Sequence, residues 1–175
     1  LLEFYAIQQN YKEMMVLVEE MVREVVQENN GRKEIECCDD TGVKYGISYK
    51  NSFKRISFSE AFEMYVGDYG ECTLPKMIEK FPEMFYEGMP TFTWLMKVIE
   101  KFFVPNIVNP TFLIDLPSGM SPFAKVSFDD NVTERAFFIA QRLFVADIYS
   151  DENDSDKIRR TLEQQSCETG IQIKG

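Results

Sequence analysis

The sequence predicts an α+β domain in which an antiparallel sheet is flanked by helices. One observation is that strand patterns open the chain and return late in it, on either side of a mainly helical middle part. A second is that the late strands follow one another closely within residues 134–151. Short local connections join antiparallel strands, whereas parallel strands need a long crossover. Together these features favour α+β over an alternating α/β architecture.

The first two elements are a strand and a long amphipathic helix. The stretch "LLEFYAIQ" predicts a strand on which Glu3 and Tyr5 share one face, because strand side chains alternate. Asn10 is placed to cap the following helix, and Asn29-Asn30-Gly31 is placed to end it. Its predicted apolar stripe, at helical spacing, consists of Tyr11, Met14, Met15, Val18, Val22, Val25 and Val26.

The middle of the chain predicts a hairpin and then short helices. "KEIECC" and "VKYGISY" are strand candidates joined by a turn at residues 39–42. Ser57 and Glu60 have capping-box spacing before a short helix. Two more helices are predicted at about residues 73–81 and 91–104, the first of which ends before a proline.

The sequence of the last third of the chain predicts three strands and a final helix. "NPTFLIDLP" reads as a strand that runs into a proline-ended loop, and residues 134–151 as an antiparallel pair. Asp154 caps a helix that extends to residue 165. We therefore predict one domain over residues 1–165, with a helical and hairpin insert around residues 33–105, followed by a tail at 166–175.

Charge and composition disfavour several classes of protein. The 175 residues carry 29 acidic and 19 basic side chains, a formal net charge of −10, and the basic residues cluster only in pairs. Autonomous nucleic-acid binding is disfavoured, since it depends on lysine and arginine displacing counterions. The apolar runs are too short to predict a membrane span.

Cysteine and histidine usage predicts no metal site and a reducing compartment. The chain has no histidine, and its four cysteines form no CxxC motif. A structural zinc site needs three or four ligands at suitable spacing. Reduced thiols are the favoured interpretation, in the cytoplasm or an organellar matrix.

Two strand faces concentrate polar side chains that are candidates for ligand binding. Glu3 and Tyr5 leave one face of the first strand, and Asp147, Tyr149 and Asp151 leave one face of a later strand. If the faces meet, carboxylates and phenols line a pocket suited to an ammonium group. The alternative is that these acids lie on a solvated face.

Several motifs resemble the catalytic domain of class II lysyl-tRNA synthetases. "LLEFYAIQQNYKEMMVLVEEMV" resembles the return strand of motif 2 and its helix, and "FKRIS" resembles the family's FRRI. "NPTFLIDLPSGMSPFAK" is similar to NPTFI-D-P---SPLAK. "TERAFFIAQRLFVADIYSDENDSDKIRRTLEQQ" is similar to TERFELF-GGREL-N-FSELNDP-DQR-R-EEQ without a gap. The resemblance implies a partial class II catalytic fold, truncated before motif 3.

The resemblance also assigns a vestigial lysine pocket. Glu3 and Tyr5 match the family residues that hold the lysine side chain, and Asp151 replaces the glutamate that takes the ammonium group. Tyr149 stands at the position of a family phenylalanine or tyrosine. Asp147 replaces an asparagine that helps hold the amino acid and nucleotide.

The nucleotide side departs from the family. Phe137 and Phe144 stand where the family has two glutamates that hold the metal ions bridging the ATP phosphates. Magnesium needs oxygen ligands, which a benzyl group does not offer. The sequence therefore predicts no catalytic residue, no metal and no cofactor, with ATP and Mg²⁺ expected only if the chain is part of an active ligase.

Three functional hypotheses follow from these positions. The first is a catalytically inactive domain that serves as a binding or scaffold subunit, with another protein chain as its partner. The second is a domain that binds or senses lysine or another cationic amine. The third is an excerpt of an active lysine–tRNA ligase.

Overall fold

The computed structural model describes residues 2–38, 41–120, 123–127 and 132–170. Within these ranges the α+β architecture is confirmed, with most of the helices close to their predicted positions. The elements are α1 (Tyr11–Asn30), β1 (Glu34–Cys38), β2 (Lys44–Ser48), β3 (Lys54–Ser57), α2 (Phe58–Tyr65), α3 (Leu74–Lys80), α4 (Thr91–Val98), β4 (Thr111–Ile114), β5 (Leu116–Pro117), β6 (Val132–Thr133), β7 (Arg135–Ala140), β8 (Leu143–Tyr149) and α5 (Ser155–Thr169).

The central sheet has four strands in the order β3-β4-β7-β8. The pairs β4–β7 and β7–β8 are antiparallel, whereas β3 and β4 are parallel. The parallel pair departs from the purely antiparallel prediction because α2, α3 and α4 form a long crossover between its two strands. Two smaller antiparallel pairs, β1–β2 and β5–β6, lie outside this sheet.

Strand β7 supplies the centre of two hydrophobic cores. All six of its residues are buried. Phe137 and Ile139 join the core formed with α2, α3 and α4, and Ala136 and Phe138 join the core beneath α1 and the β1–β2 hairpin. Because successive side chains of a strand leave opposite faces, one strand serves both cores.

Capping side chains define the start of three helices as predicted. The Asn10 side chain accepts from the backbone N–H of Lys12 and Glu13, and Ser57 with Glu60 forms the predicted capping box. Asp154 caps α5. Helix α5 continues to Thr169, four residues beyond its predicted end, and stops at a glycine with φ 69°.

Two predictions near the amino terminus are wrong. Residues 2–10 form no strand, and all of them are exposed. A strand exists only where a neighbour pairs with its backbone, and the described residues offer this segment no such pairing. Val25, predicted to lie in the apolar stripe of α1, is 55% exposed because the sheet covers a narrower face of the helix.

The β1–β2 hairpin is confirmed, although Asp39 and Asp40 of its turn lie outside the described residues. A contact to the β7–β8 turn holds the hairpin against the main sheet. Gln141 and Arg142 adopt φ values of 56° and 61°, in the left-handed region. Gln141 Nε2 donates to the Tyr49 hydroxyl at 3.1 Å, and the Arg142 guanidinium lies 5.7 Å from the Tyr45 ring centroid.

A buried carboxylate links α1 to the main sheet. Glu19, only 5% exposed, accepts from the Phe53 backbone N–H at 3.1 Å. Its carboxylate also pairs with Arg23 at 2.5 Å and with Arg55 at 3.4 Å. Buried charges persist only where they are paired and hydrogen-bonded, and these three contacts meet that condition.

The four cysteines are all free thiols. Burial raises the pKa of the Cys72 thiol to about 12, which suppresses its thiolate form. Among the helices of the described residues, none combines the length and the apolar character that a membrane crossing requires.

Candidate functional site

The candidate site lies on one face of the β7–β8 hairpin. In its register Arg135 is opposite Tyr149 and Phe137 is opposite Asp147. A β-bulge between Phe138 and Ile139 then shifts the pairing. Antiparallel pairing of this kind places side chains from both strands side by side on one surface.

Phe137 and Phe144, which the resemblance led us to expect at metal-binding positions, are in direct contact. The rings of Phe137 and Phe144 have centroids 4.8 Å apart and an interplanar angle of 66°, an edge-to-face arrangement. Phe137 is 1% exposed, whereas Phe144 is 43% exposed. Only Phe137 is therefore part of the core, and Phe144 covers it from the solvent side.

Acidic side chains do not gather around this aromatic pair. In the part of the chain that the structure describes, no group of three or more histidine, cysteine or carboxylate side chains has the geometry of a metal site. The carboxylate directly opposite Phe137 is Asp147, and another side chain of the site already binds it.

That side chain is Arg135, which is not among the predicted site residues. Its Nε donates to Asp147 Oδ1 at 2.9 Å and its Nη2 to Oδ2 at 2.5 Å, while Nη1 donates to the Met120 carbonyl at 3.0 Å. The guanidinium lies 4.8 Å from the Phe137 ring centroid and 5.8 Å from that of Tyr149. A planar guanidinium suits both bidentate pairing and stacking on rings.

The sequence did contain a signal for Arg135. It is the only charged residue of β7, a strand otherwise made of alanine, phenylalanine and isoleucine. A charge in such a run is rarely buried unless it is paired. The partner was not visible in the sequence because Asp147 lies across the hairpin, 12 positions away.

The remaining candidate residues meet at the end of β8. The Tyr5 hydroxyl donates to Glu3 Oε1 at 3.0 Å, and this hydrogen bond is the main reason why the pKa of Tyr5 is raised. The negative charge of Glu3 raises it further, followed by smaller contributions from Tyr149 and Asp151. Glu3, Tyr5, Tyr149 and Asp151 therefore lie within electrostatic reach of one another.

The pKa of Tyr149, on strand β8, is shifted by some of the same carboxylates. Its pKa is raised by burial first, then by Asp151 and Asp147, while Arg135 lowers it. The segment that carries Glu3 and Tyr5 is joined to this end of β8 through its own end, where the Tyr11 backbone N–H donates to Ser150 Oγ at 2.9 Å. Tyr5 is 77% exposed, so the cluster forms an open surface.

The structure thus divides the predicted site residues into three groups. Glu3, Tyr5, Tyr149 and Asp151 form the open acidic and phenolic cluster. Asp147 is bound to Arg135. Phe137 and Phe144 form the aromatic pair.

Comparison with known proteins matches nearly the whole chain to one family. Residues 1–172 match the family described as tRNA synthetases class II (D, K and N). The chain is 29% identical to a lysine–tRNA ligase of Dehalococcoides mccartyi over 171 residues, which cover 94% of this chain and 33% of that protein.

Two further lysine–tRNA ligases match nearly the whole chain at similar identity. The lysine–tRNA ligase of Aquifex aeolicus is 30% identical over 178 residues, covering 94% of this chain and 28% of that protein. The lysine–tRNA ligase of Deinococcus radiodurans is 27% identical over 175 residues, with 95% and 32% covered. The chain spans about a third of the length of the curated relatives that it matches.

Proposed function

We propose a function for this chain from one premise: it belongs to the class II tRNA synthetases of the D, K and N group. Its function is that of a lysine–tRNA-ligase-like domain that does not activate an amino acid with ATP. It serves instead as a binding or scaffold subunit in a larger assembly. The observation that carries the proposal is the contact between Phe137 and Phe144.

The argument starts from what ATP-dependent activation requires of this position. Magnesium ions that bridge the phosphates need oxygen ligands at close range, and two phenyl rings supply none. The nearest carboxylate across the hairpin, Asp147, is neutralised by Arg135. A metal ion would have to break that bidentate pair before it gained a ligand.

The carboxylates at the end of β8 also oppose a bound triphosphate. Glu3 and Asp151 both lie close enough to Tyr5 to raise its pKa. Without a metal ion between them, like charges at this range repel. Stabilising the charge that develops on phosphorus is the main task of such a catalytic site. At positions 137 and 144 the described structure offers only two phenyl rings for that task.

The test is ATP–pyrophosphate exchange with lysine, run on the full-length polypeptide that contains this chain. We expect no lysine-dependent exchange above the buffer rate, with the Aquifex aeolicus ligase as the positive control in the same buffer. The free Mn²⁺ concentration, read by electron paramagnetic resonance, is expected to be unchanged by the protein in the presence of ATP. Exchange that depends on both lysine and Mg²⁺ would instead establish an active ligase.

A second function, binding of a cationic amine without its activation, is favoured by the acidic and phenolic cluster. Glu3 and Asp151 offer carboxylates, and Tyr5 and Tyr149 offer hydroxyl groups on the same surface. Charged hydrogen bonds of this kind contribute roughly 1.5–3 kcal/mol each. Lysine itself is the first ligand to test, since the matched relatives are lysine–tRNA ligases.

Calorimetric titration with L-lysine measures this binding. Glu3→Gln and Asp151→Asn are each expected to weaken it by about 10- to 100-fold, because each removes one charged hydrogen bond. Glu63→Gln, on the exposed side of α2, is the matched control and is expected to leave the affinity unchanged. The absence of heat at millimolar lysine rules the second function out.

A further inference from the structure

Arg135 belongs to a four-residue arrangement on one face of the β7–β8 hairpin. Phe137 follows it two positions later in β7, so both side chains leave the same face. Across the hairpin, Tyr149 is opposite Arg135 and Asp147 is opposite Phe137. The ion pair between Arg135 and Asp147 therefore runs diagonally between the two strands, a separation that a long side chain can span.

The guanidinium of Arg135 is fixed at several points. Asp147 accepts hydrogen bonds from Nε and Nη2, and the Met120 carbonyl accepts one from Nη1. The residue is only 9% exposed, and the guanidinium carbon lies over the rings of both Phe137 and Tyr149. A planar guanidinium in a bidentate pair is held in one orientation, so it presents a fixed surface to the Tyr149 ring.

These contacts separate the role of Arg135 from direct ligand binding. Three nitrogens of its guanidinium already donate to acceptors of the protein. The same contacts hold Asp147, so its carboxylate is not offered to a ligand as a third one beside Glu3 and Asp151. Arg135 therefore acts on the acidic and phenolic cluster through the cluster residue that it contacts, which is Tyr149.

Tyr149 links the ion pair to the rest of the cluster. Its ring contacts the Arg135 guanidinium. The pKa of its hydroxyl is raised by burial and then by nearby carboxylates, among them Asp151 and Glu3. A side chain on a strand face is held by its cross-strand neighbours, and the neighbour directly opposite Tyr149 is Arg135.

We propose that Arg135 is the positioning residue of the acidic and phenolic cluster. Clamped to Asp147, it holds the Tyr149 ring so that the phenol hydroxyl meets an ammonium group bound at Glu3 and Asp151. This inference rests on the amine-binding function proposed above, to which it adds a residue that acts without touching the ligand.

Calorimetric titration of the full-length protein with L-lysine tests this role in a variant that keeps the net charge. Arg135→Met combined with Asp147→Asn removes one positive and one negative charge. Exchange of a buried ion pair for uncharged side chains of similar volume is commonly neutral for the fold. The double variant is expected to bind lysine about tenfold more weakly, because the Tyr149 hydroxyl is no longer held in position.

Tyr149→Phe decides whether the effect passes through the phenol. By itself it is expected to weaken lysine binding about tenfold, since it removes the hydroxyl. Adding the double substitution to Tyr149→Phe is expected to change the affinity by less than about twofold, because residues that act as one unit are not additive. A further full loss in this background would overturn the proposal, and so would wild-type affinity in the double variant.

The matched control is the ion pair between Lys44 and Glu36 on the β1–β2 hairpin. Lys44→Met combined with Glu36→Gln also removes one charge of each sign, and it is expected to leave the lysine affinity unchanged. An equal loss in this variant would show that the effect is not specific to the pair at Arg135, and the proposal would fail.

A readout without ligand comes from the Tyr149 phenol, followed through a pH titration by NMR of protein that carries isotope-labelled tyrosine. Arg135→Met is expected to raise the pKa of Tyr149, because the Arg135 charge lowers it in the folded protein. Asp147→Asn is expected to lower the pKa of Tyr149, because the Asp147 charge raises it. A change of stability alone would move neither value, and an unmoved pKa in both variants would contradict the positioning contact whether or not lysine binds.

The wild-type titration separates this inference from the function on which it rests. Lysine heat in the wild type, together with unchanged affinity in the double variant, defeats only the role of Arg135. No heat in the wild type at millimolar lysine defeats the amine-binding function, and the positioning role falls with it.

Discussion

Replacing Phe137 by alanine is expected to lower the free energy of unfolding by about 3–5 kcal/mol. The side chain is 1% exposed and lies in the core formed with α2, α3 and α4. The Phe137 ring both contacts the Phe144 ring and lies under the Arg135 guanidinium, so the substitution removes both interactions. The loss is measured by equilibrium unfolding in urea, followed by far-ultraviolet circular dichroism.

The matched control is the same substitution at its partner ring. Phe144 is 43% exposed, so Phe144→Ala is expected to cost only about 1–1.5 kcal/mol, roughly half of the value for burying a full phenylalanine side chain. The denaturant slope should be the same for both variants and the wild type. Equal costs at the two positions would contradict the description of Phe137 as the buried member of the pair.

Replacing Glu19 by alanine is expected to lower the free energy of unfolding by about 2–4 kcal/mol. The change leaves the buried backbone N–H of Phe53 without its acceptor, and it leaves Arg23 and Arg55 without their shared carboxylate. This expected loss is smaller than the loss for breaking a fully buried ion pair, because the side chains of Arg23 and Arg55 are 20% and 37% exposed. Thermal and urea unfolding of the variant both measure it.

A surface ion pair provides the comparison for Glu19. Glu36 pairs with Lys44 at 2.6 Å on the β1–β2 hairpin, with both side chains more than half exposed. Glu36→Ala is expected to cost less than about 1 kcal/mol, since solvent screens exposed pairs. Glu19→Gln keeps the acceptor for Phe53 but loses the charge, so it should fall between the two. A cost for Glu19→Ala no larger than that for Glu36→Ala would show that burial adds nothing to the Glu19 contacts.

Local chemistry explains which parts of the fold the sequence predicted well. Asn10, Ser57 and Asp154 begin helices because a side-chain oxygen can accept from the next backbone N–H groups, whatever the rest of the molecule does. The β7–β8 hairpin followed from two apolar runs separated by a short turn. The opening strand failed because strand formation depends on a neighbour that the local sequence does not specify.

The site was predicted in part for the same reason. Strand alternation indicated Tyr149 and Asp151, whereas Glu3 and Tyr5 came from the family resemblance, since the strand predicted for them does not form. The Tyr5 hydroxyl nevertheless donates to Glu3, and Tyr149 and Asp151 lie close enough to raise the pKa of Tyr5. The role of Arg135 was missed. Its pairing with Asp147 depends on the register across the hairpin, which a β-bulge can shift by one residue.

By itself the sequence determined the family, the helix starts and the late hairpin. Only the tertiary structure decided that Phe137 is buried while Phe144 faces solvent, and that Asp147 is bound to Arg135. The physical reason is that capping and periodicity act over a few neighbouring residues, whereas burial and ion pairing depend on which strands come to lie side by side.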